Sequence, residues 1–478
     1  MPNRQSRSGS NDPGYPIREI AIAVIFFVVG LLPYIYLPLA AGTDPPVNWG
    51  NPSSFINFWH VVMRIDYGTF SFGPSSVGST LAAGSRFQQV TFFASYFINN
   101  FTWVGIILAV LGAVWFFIKR QIELLGLGLA FLIGGPLFMI LANPPLNIPL
   151  SQGVFERFYI MPSIPFAFFI AAGVAWLLEL ANKLTNKKAS VFLPRGLVTL
   201  CLIASILGPV GLAFNRLPAL DLKHDAVAED FGRDLLAKLE PNAILIMDGD
   251  EPHMCVTYQQ TVLGYRKDVV AIDFQFLATP WYMDELRRFH PEVTIPAFSP
   301  DKRTLLADFV TANLEHQAVY GAGFGHIFDE LTDTFDELRS GLPVRFMKKG
   351  DVTDSYAFLR AESDYFASLH FPDKTYPDTS WEAEIGGFYS HLALEIGTSR
   401  DKHGPQPDAD FVKKMYRIAI LNDPGDYVAY GNLALVLWNN AGPSIEVQVL
   451  MVKYLQLAPE GAQKEAARAF LAGLQNGK

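Results

Sequence analysis

The chain has 478 residues, half of them hydrophobic and 17% charged, with a formal net charge of −9. Residues 1–215 hold 12 basic and 7 acidic side chains and residues 216–478 hold 25 and 39, so an apolar, slightly basic half precedes an acidic one. That acidic half repels polyanions, which excludes a nucleic-acid partner, and the two cysteines, Cys201 and Cys255, fall in segments too different in character for a disulfide to be expected.

Met1–Pro16 is rich in Ser, Gly, Pro and Asn with no apolar period and reads as a disordered cytoplasmic tail. Ile20–Ala41 follows. Its small residues Ala40, Ala41 and Gly42 resemble a cleavage site, but its apolar core is too long for a signal peptide and contains Pro33 and Pro38, so it is read as a membrane helix. Four more apolar stretches, Tyr96–Ile118, Leu124–Ala142, Tyr159–Leu178 and Leu197–Phe214, each approach the ~20 residues that cross the hydrocarbon. The positive-inside bias places Arg4, Arg7, Arg18, Lys119, Arg120, Lys183, Lys187, Lys188 and Arg195 in the cytoplasm. Five crossings then put everything after about Asn215 outside, in a periplasm, cell exterior or lumen. The spans carry almost no ionisable groups, which argues against a proton-coupled transporter or an ion channel.

Between the first two spans, Gly42–Arg86 mixes turn formers with Trp49, Phe55, Phe58, Trp59, Tyr67 and Phe70, an aromatic density suited to the headgroup layer. Within it Ser54–Met63 is expected to be an interfacial helix capped by Ser53 or Ser54. Beyond the membrane portion, Asp225–Leu239 has helical spacing and Ala243–Met247 is a wholly apolar run suited to a buried strand. Pro252–Leu263 reads as a helix, Val269–Phe274 as a strand, and Thr279-Pro280 opens a helix over Trp281–Phe289. Ala318–Ala322 and Val344–Met347 complete what is expected to be a small parallel sheet.

At the C-terminal end, Leu421-Asn422-Asp423-Pro424 and Leu457-Ala458-Pro459 place prolines 35 residues apart, near the ~34-residue tetratricopeptide period. Tyr430, Leu433, Ala434 and Leu437 fit a first helix, and Tyr416 and Ala419 the second helix of the unit before it, whereas Glu446 sits where a small residue is usual. About two units are too few to stand alone, so they are expected to pack on the α/β part. The expected fold class is thus an α-helical polytopic membrane domain of about five helices (17–215), a soluble α/β domain (216–380) and tetratricopeptide-like helical repeats (381–478).

Several ordered segments carry a resemblance. Leu31 to Leu39 (LLPYIYLPL), Pro45 to Pro52 with Tyr67-Gly68, Glu156-Arg157-Phe158-Tyr159, Ala243 to Asp250, Gly264 to Val269 and Trp281 to Arg288 together resemble the protein O-mannosyltransferase-like membrane proteins of the GT-C class. Agreement in order along roughly the whole chain is more specific than any one motif. The resemblance implies transfer of a sugar from a polyprenyl-phosphate donor to a hydroxyl outside the membrane, with a carboxylate as general base. It also places the acidic pair thought to serve in an N-terminal membrane portion with no counterpart in these residues, so the chain is expected to be one half of a split enzyme, a non-catalytic relative or a truncated frame. A protein partner supplying that half is accordingly expected, beside the lipid bilayer and a polyprenyl-phosphate-linked sugar.

Glu156 and Arg157, at the outer edge of the fourth span, are the donor-phosphate candidates, since an Arg grips phosphate with paired donors and a Glu can hold it; a local ion pair is the competing reading. Arg64 is a third candidate, and Asp66 beside it a weak catalytic base, with a plain surface carboxylate as the alternative. Asp248 and Asp250, after a predicted strand and near Glu251 and His253, are ligand-binding candidates, although Asp250 also suits the cap of the next helix. Gly321 to Gly325 reads as a loop; no Gly-x-Gly-x-x-Gly, Walker or zinc spacing occurs, so neither cofactor nor metal is expected. The alternative to an enzyme is a membrane-anchored tetratricopeptide scaffold that holds a peptide without catalysis.

Overall fold

The computed structural model describes residues 15–45, 47–65, 85–185, 192–323, 331–403 and 409–475. The chain forms two compact units, 1–76 and 77–478. In the first, helix α1 (Tyr15–Leu31) passes through a 3₁₀ turn at Leu32–Ile35 into α2 (Tyr36–Ala41). Pro33 lies in the 3₁₀ turn, where its missing N–H favours the tighter geometry, and Pro38 lies in the first turn of α2, where a backbone donor is not needed. Ser54 then caps α3 (Phe55–Met63), its side chain accepting the Asn57 N–H, and Phe55, Ile56 and Trp59 are exposed.

The second unit begins with α4 (Arg86–Lys119), α5 (Gln121–Leu132), a π turn at Ile133–Leu137, α6 (Phe138–Ala142), α7 (Pro149–Glu156), α8 (Ile160–Thr185) and α9 (Phe192–Leu220). Among the described residues four helical segments are long and apolar enough to cross a membrane: Val24–Ala41, Arg86–Lys119, Gln121–Ala142 and Pro149–Leu180. The expected span Leu197–Phe214 lies inside α9. The π turn falls at Gly134-Gly135-Pro136, where proline removes a ladder donor. Gly135 there lets Phe93 approach to where a Cβ would sit 2.6 Å from its ring. Phe93, Phe97, Phe131, Tyr159 and Phe166 form one tilted and edge-to-face aromatic cluster that fixes α4, α5 and α8 together. Gln89, fully buried near the start of α4, donates to Asn143 Oδ1 and the Pro144 carbonyl just past α6. The starts of α4 and α8 and the ends of α6 and α9 therefore share one end of the bundle.

After α10 (Val227–Ala237) comes a five-stranded sheet in the order β2-β1-β3-β5-β4. Its strands are β1 (Ile244–Asp248), β2 (Val270–Asp273), β3 (Val319–Gly323), β4 (Phe335–Arg339) and β5 (Val344–Lys348). Helices α11 (Asp250–Thr261), α12 (Phe274–Leu277), α13 (Pro280–Phe289) and α14 (Lys302–Asn313) make the crossovers. The apolar β1 run is explained by burial on both faces: Ile244 and Ile246 enter a core with α13 and α14, while Leu245 and Met247 enter another with α10 and α11. The sheet is not wholly parallel, contrary to expectation. β1 pairs in parallel with β2 and β3, but β5 runs antiparallel to β3 and to β4. β4, with sequence FDELR, escaped notice because an edge strand with mostly half-exposed positions needs little apolar patterning.

Two short helices, α15 (Ala357–Ala361) and α16 (Ser363–Ser368), lead to α17 (Trp381–His403), α18 (Ala409–Asn422), α19 (Tyr427–Ala441), α20 (Ile445–Leu457) and α21 (Ala462–Gln475), each packed on the next. Ile385, Phe388, Tyr389, Leu392 and Ile396 of α17 share the α10 and α11 core, so this helical array is continuous with the sheet's hydrophobic interior.

Candidate functional site

Polar side chains collect at two places in the second unit. The first lies at the shared end of the membrane helices. α4 is broken at Thr102 (φ 59°, ψ 169°), a left-handed φ that a β-branched residue rarely adopts, and Asn100 stands just before the break. Arg216, near the end of α9, donates through Nη1 to Asn100 Oδ1 at 2.7 Å. Glu156 closes α7 within electrostatic range of Arg216. Tyr159, fully buried, packs its ring 4.6 Å from that of Tyr96 and faces Glu156. Arg157 takes another course, its guanidinium resting 5.2 Å over the Phe158 ring. The cation brought toward Glu156 from across the fold is therefore Arg216. Sequence reading missed it because Asn100, Glu156 and Arg216 belong to three helices far apart in the chain. Arg64, in the first unit, is the left-handed C-cap of α3 (φ 53°), and Asp66 lies outside the described residues.

α7 also touches the α/β and helical part. A Cβ on Gly153 would sit 1.9 Å from the Thr379 carbonyl oxygen, just before α17. No side chain fits that approach. Gly153→Val is expected to detach α7 from residues 377–380, seen as faster amide exchange or proteolysis at that segment; unchanged protection would show the contact to be dispensable.

The second place is the carboxyl edge of the sheet. β1 has β2 on one side and β3 on the other, so the chain reverses its winding there, and open α/β sheets bind ligands in the crevice outside such strand ends. Asp248 ends β1 and accepts from Gln275 Nε2 at 2.8 Å. Its register partner is Gly323, where a Cβ would lie 2.8 Å from the Asp248 Cβ, so only glycine permits the close approach. Asp273 ends β2 and caps α12 by accepting the Gln275 N–H. Asp250 is the first residue of α11; the cap is Gly249 (φ 111°), not Asp250 as anticipated, because the chain turns into the helix through a left-handed conformation that glycine tolerates. His253, one turn further, has Nδ1 3.6 Å from Asp273 Oδ2.

Burial dominates the electrostatics here. It raises Glu251 to about 7, aided by Glu384, Asp250 and Asp248, and Asp273 to about 7, aided by Asp250 and Asp248. Burial also raises Asp248 against the opposing Gln275 hydrogen bond and Lys302, and it lowers His253. Among the described residues no three His, Cys, Asp or Glu side chains converge to hold a metal ion. The raised carboxyls bind protons that the unfolded chain releases near pH 4, so their contribution to stability is present at low pH and is lost as pH rises through about 7. His253 works in the opposite sense, below its ordinary value. The melting temperature is expected to fall between pH 5 and pH 8, and E251Q/D273N to flatten that slope. An equal slope in the double variant would remove these groups as its cause.

A groove of about 770 Å³ opens between α17, α19, α20 and α21, lined by Tyr427, Gly431, Leu435, Tyr454 and Phe470 with Glu395 at its polar side.

A family model described as TMEM260-associated domain 2 matches residues 228–297, which run from α10 past α13 and include Asp248, Asp250 and Asp273. A mouse relative named protein O-mannosyl-transferase TMEM260 is 28% identical over 300 residues, 61% of this chain and 40% of the relative. A Dictyostelium discoideum relative of the same name is 22% identical over 397 residues, 78% of this chain and 48% of the relative. The chain thus spans less than half the length of these curated relatives. No solved structure matches.

Proposed function

We propose that this chain, homologous to the TMEM260 protein O-mannosyl-transferases, is a unit of a GT-C-like membrane glycosyltransferase that moves a sugar from a polyprenyl-phosphate donor to a hydroxyl on the outer side of the membrane. The observation that carries the reading is the similarity to the Dictyostelium relative. A match over 78% of the chain takes in both membrane helices and the α/β domain. Glu156, Arg157 and Arg64 are its donor-phosphate candidates, and Asp66 a candidate base. In the reaction an acceptor Ser or Thr hydroxyl loses its proton as its oxygen attacks the anomeric carbon, and the phosphate leaves with the electron pair of the bond to the sugar. Arginine at the outer edge stabilises that leaving charge.

An odd number of crossings, with α9 as the fifth, accounts for the arrangement: the polar cluster, the α7 contact with Thr379 and the acidic domain then all lie outside. The acidic pair that the resemblance assigns to an N-terminal membrane portion is required from elsewhere, in the same polypeptide or in a partner. The decisive experiment reconstitutes the purified chain in vesicles with polyprenyl-phosphate mannose and a Ser/Thr peptide, with and without the N-terminal portion of a relative, and follows hexose addition by mass spectrometry. Transfer only in the combined sample supports a partner-dependent unit. Transfer by the chain alone, lost in E156Q or D66N, shows it complete, and no transfer in either sample counts against the enzyme.

The helical groove favours the second reading, a tetratricopeptide-like surface that receives a peptide. Stable capture of an extended peptide by the full chain, unaffected by E156Q, would support it.

A further inference from the structure

The groove among the C-terminal helices is built from equivalent positions. Thr398, Asn432 and Ala466 follow one another at intervals of 34 residues, on α17, α19 and α21, and all three line it. Asn432 Nδ2 donates to Thr398 Oγ1 at 3.4 Å, so the first two stand side by side. One position earlier, Gly397 and Gly431 repeat a single packing: an added Cβ would stand 2.7 Å from the Tyr416 ring in the first case and 2.9 Å from the Tyr454 ring in the second, each ring on the helix that follows. Two helices thus present the same face, and α21 continues the row through Ala466. An occupant touching all three positions crosses three helices; with packed helices roughly 8–10 Å apart it spans about 20 Å, the length of about six extended residues.

Chemistry changes along the row. The α17 end offers the hydroxyls of Thr398 and Ser399 and the middle the Asn432 amide, whereas at α21 the small Ala466 lies near the Phe470 ring and leaves room for a large apolar side chain. Glu395 is the one charged side chain among the described residues that line the groove, and Arg339 Nη2 holds it at 3.1 Å. The lining is therefore close to neutral, inside a half of the chain with 25 basic and 39 acidic side chains. A carboxylate entering it meets a negative surrounding field and no cation, and a Lys or Arg surrenders hydration for a carboxylate that is already paired. Charge selects against both.

We propose that the groove binds an extended, uncharged segment of about six residues from a protein partner, in one direction: a Ser, Thr or Asn over α17 and a large apolar side chain between Ala466 and Phe470 at α21. The inference rests on the peptide-receiving reading of the groove and is independent of sugar transfer. Asn432 reads the chain rather than a side chain, because an amide offers a donor and an acceptor together, as the peptide group does. The two unlike ends fix the direction.

The test pans a random decapeptide phage library against the full chain in phosphatidylcholine nanodiscs and measures the enriched peptides by fluorescence polarisation. Enriched sequences are expected to lack Asp, Glu, Lys and Arg and to place a large apolar residue about five positions from a Ser, Thr or Asn. A466W, which fills the α21 end from an exposed position, is expected to weaken binding at least tenfold and N432A several-fold. I445D, on an exposed residue of α20 outside the lining, and E156Q are expected to change nothing. The reversed sequence should bind at least tenfold more weakly. Peptides that A466W releases but that are charged, or that bind equally in both directions, would overturn this specificity and leave the peptide reading standing. Enriched peptides that A466W binds as wild type does, or no enrichment at all, would sink both. A second copy seated in the groove, seen in light scattering as a dimer that A466W dissociates, would also overturn the proposal.

Discussion

Replacing Gly112 or Gly173 with valine is expected to separate α4 from α8 and to leave little folded protein in detergent. A Cβ on Gly112 would stand 1.8 Å from the Phe169 carbonyl oxygen, and one on Gly173 2.0 Å from the Leu108 carbonyl oxygen, so the two helices meet backbone to backbone. In a bilayer the lipid chains are as apolar as leucine. Helix association there depends on close packing, which these small residues permit beside the aromatic contacts between the same helices. Backbone cannot move aside as a flexible side chain can, so either substitution should destabilise by about 3 kcal/mol or more. Gly126, whose added Cβ would meet nothing, is the matched control. Thermal melts of the purified variants decide the matter: G112V or G173V melting within a degree or two of G126V would show that α4 and α8 are held by other contacts. The polar cluster around Asn100 and Arg216 should fail with the crossing, since Asn100 lies on one of these helices and Tyr159 leads directly into the other.

Asp234→Ala is expected to be the most damaging single change in the acidic half. Asp234, on α10, is 3% exposed and accepts three hydrogen bonds: from the His370 backbone N–H, from His370 Nδ1 and from the Tyr389 hydroxyl at 2.7 Å. Those donors come from the segment before α17 and from α17 itself, so one carboxylate fastens α10 to the helical array. Alanine strands the Tyr389 hydroxyl, on a fully buried ring, and the His370 amide, for a loss of about 3–5 kcal/mol. An asparagine in place of Asp234 keeps the shape and some acceptor capacity, so D234N should lose about 1–2 kcal/mol. Y389F removes one donor together with its need and should cost less still. Denaturant midpoints of the full chain test this ordering. Equal losses for D234A and Y389F would mean that the carboxylate serves the tyrosine alone.

Much of the secondary structure was legible because local chemistry specifies it. Ser54 caps α3, Thr279-Pro280 opens α13, and the wholly apolar Ala243–Met247 run is a strand covered on both faces. The sheet's direction was not legible. β5 reverses because the β4–β5 hairpin supplies an antiparallel edge, and FDELR carries no apolar alternation to announce it. Of the site candidates, Asp248 stood out because it follows a strand. Asp273 and Gly323 matter only because β2 and β3 flank β1, an adjacency that no local pattern contains.

The sequence by itself determined that this is a membrane protein with an acidic appended α/β and helical part, because apolar length and charge distribution act through the solvent each segment prefers and need no knowledge of neighbours. Only the tertiary structure decided which polar groups share a site. Arg216 meets Asn100, the Tyr159 hydroxyl is buried without a partner among the described residues, and Gly153 lies against Thr379, since helix packing brings together residues that are separated along the chain by far more than any periodicity can encode.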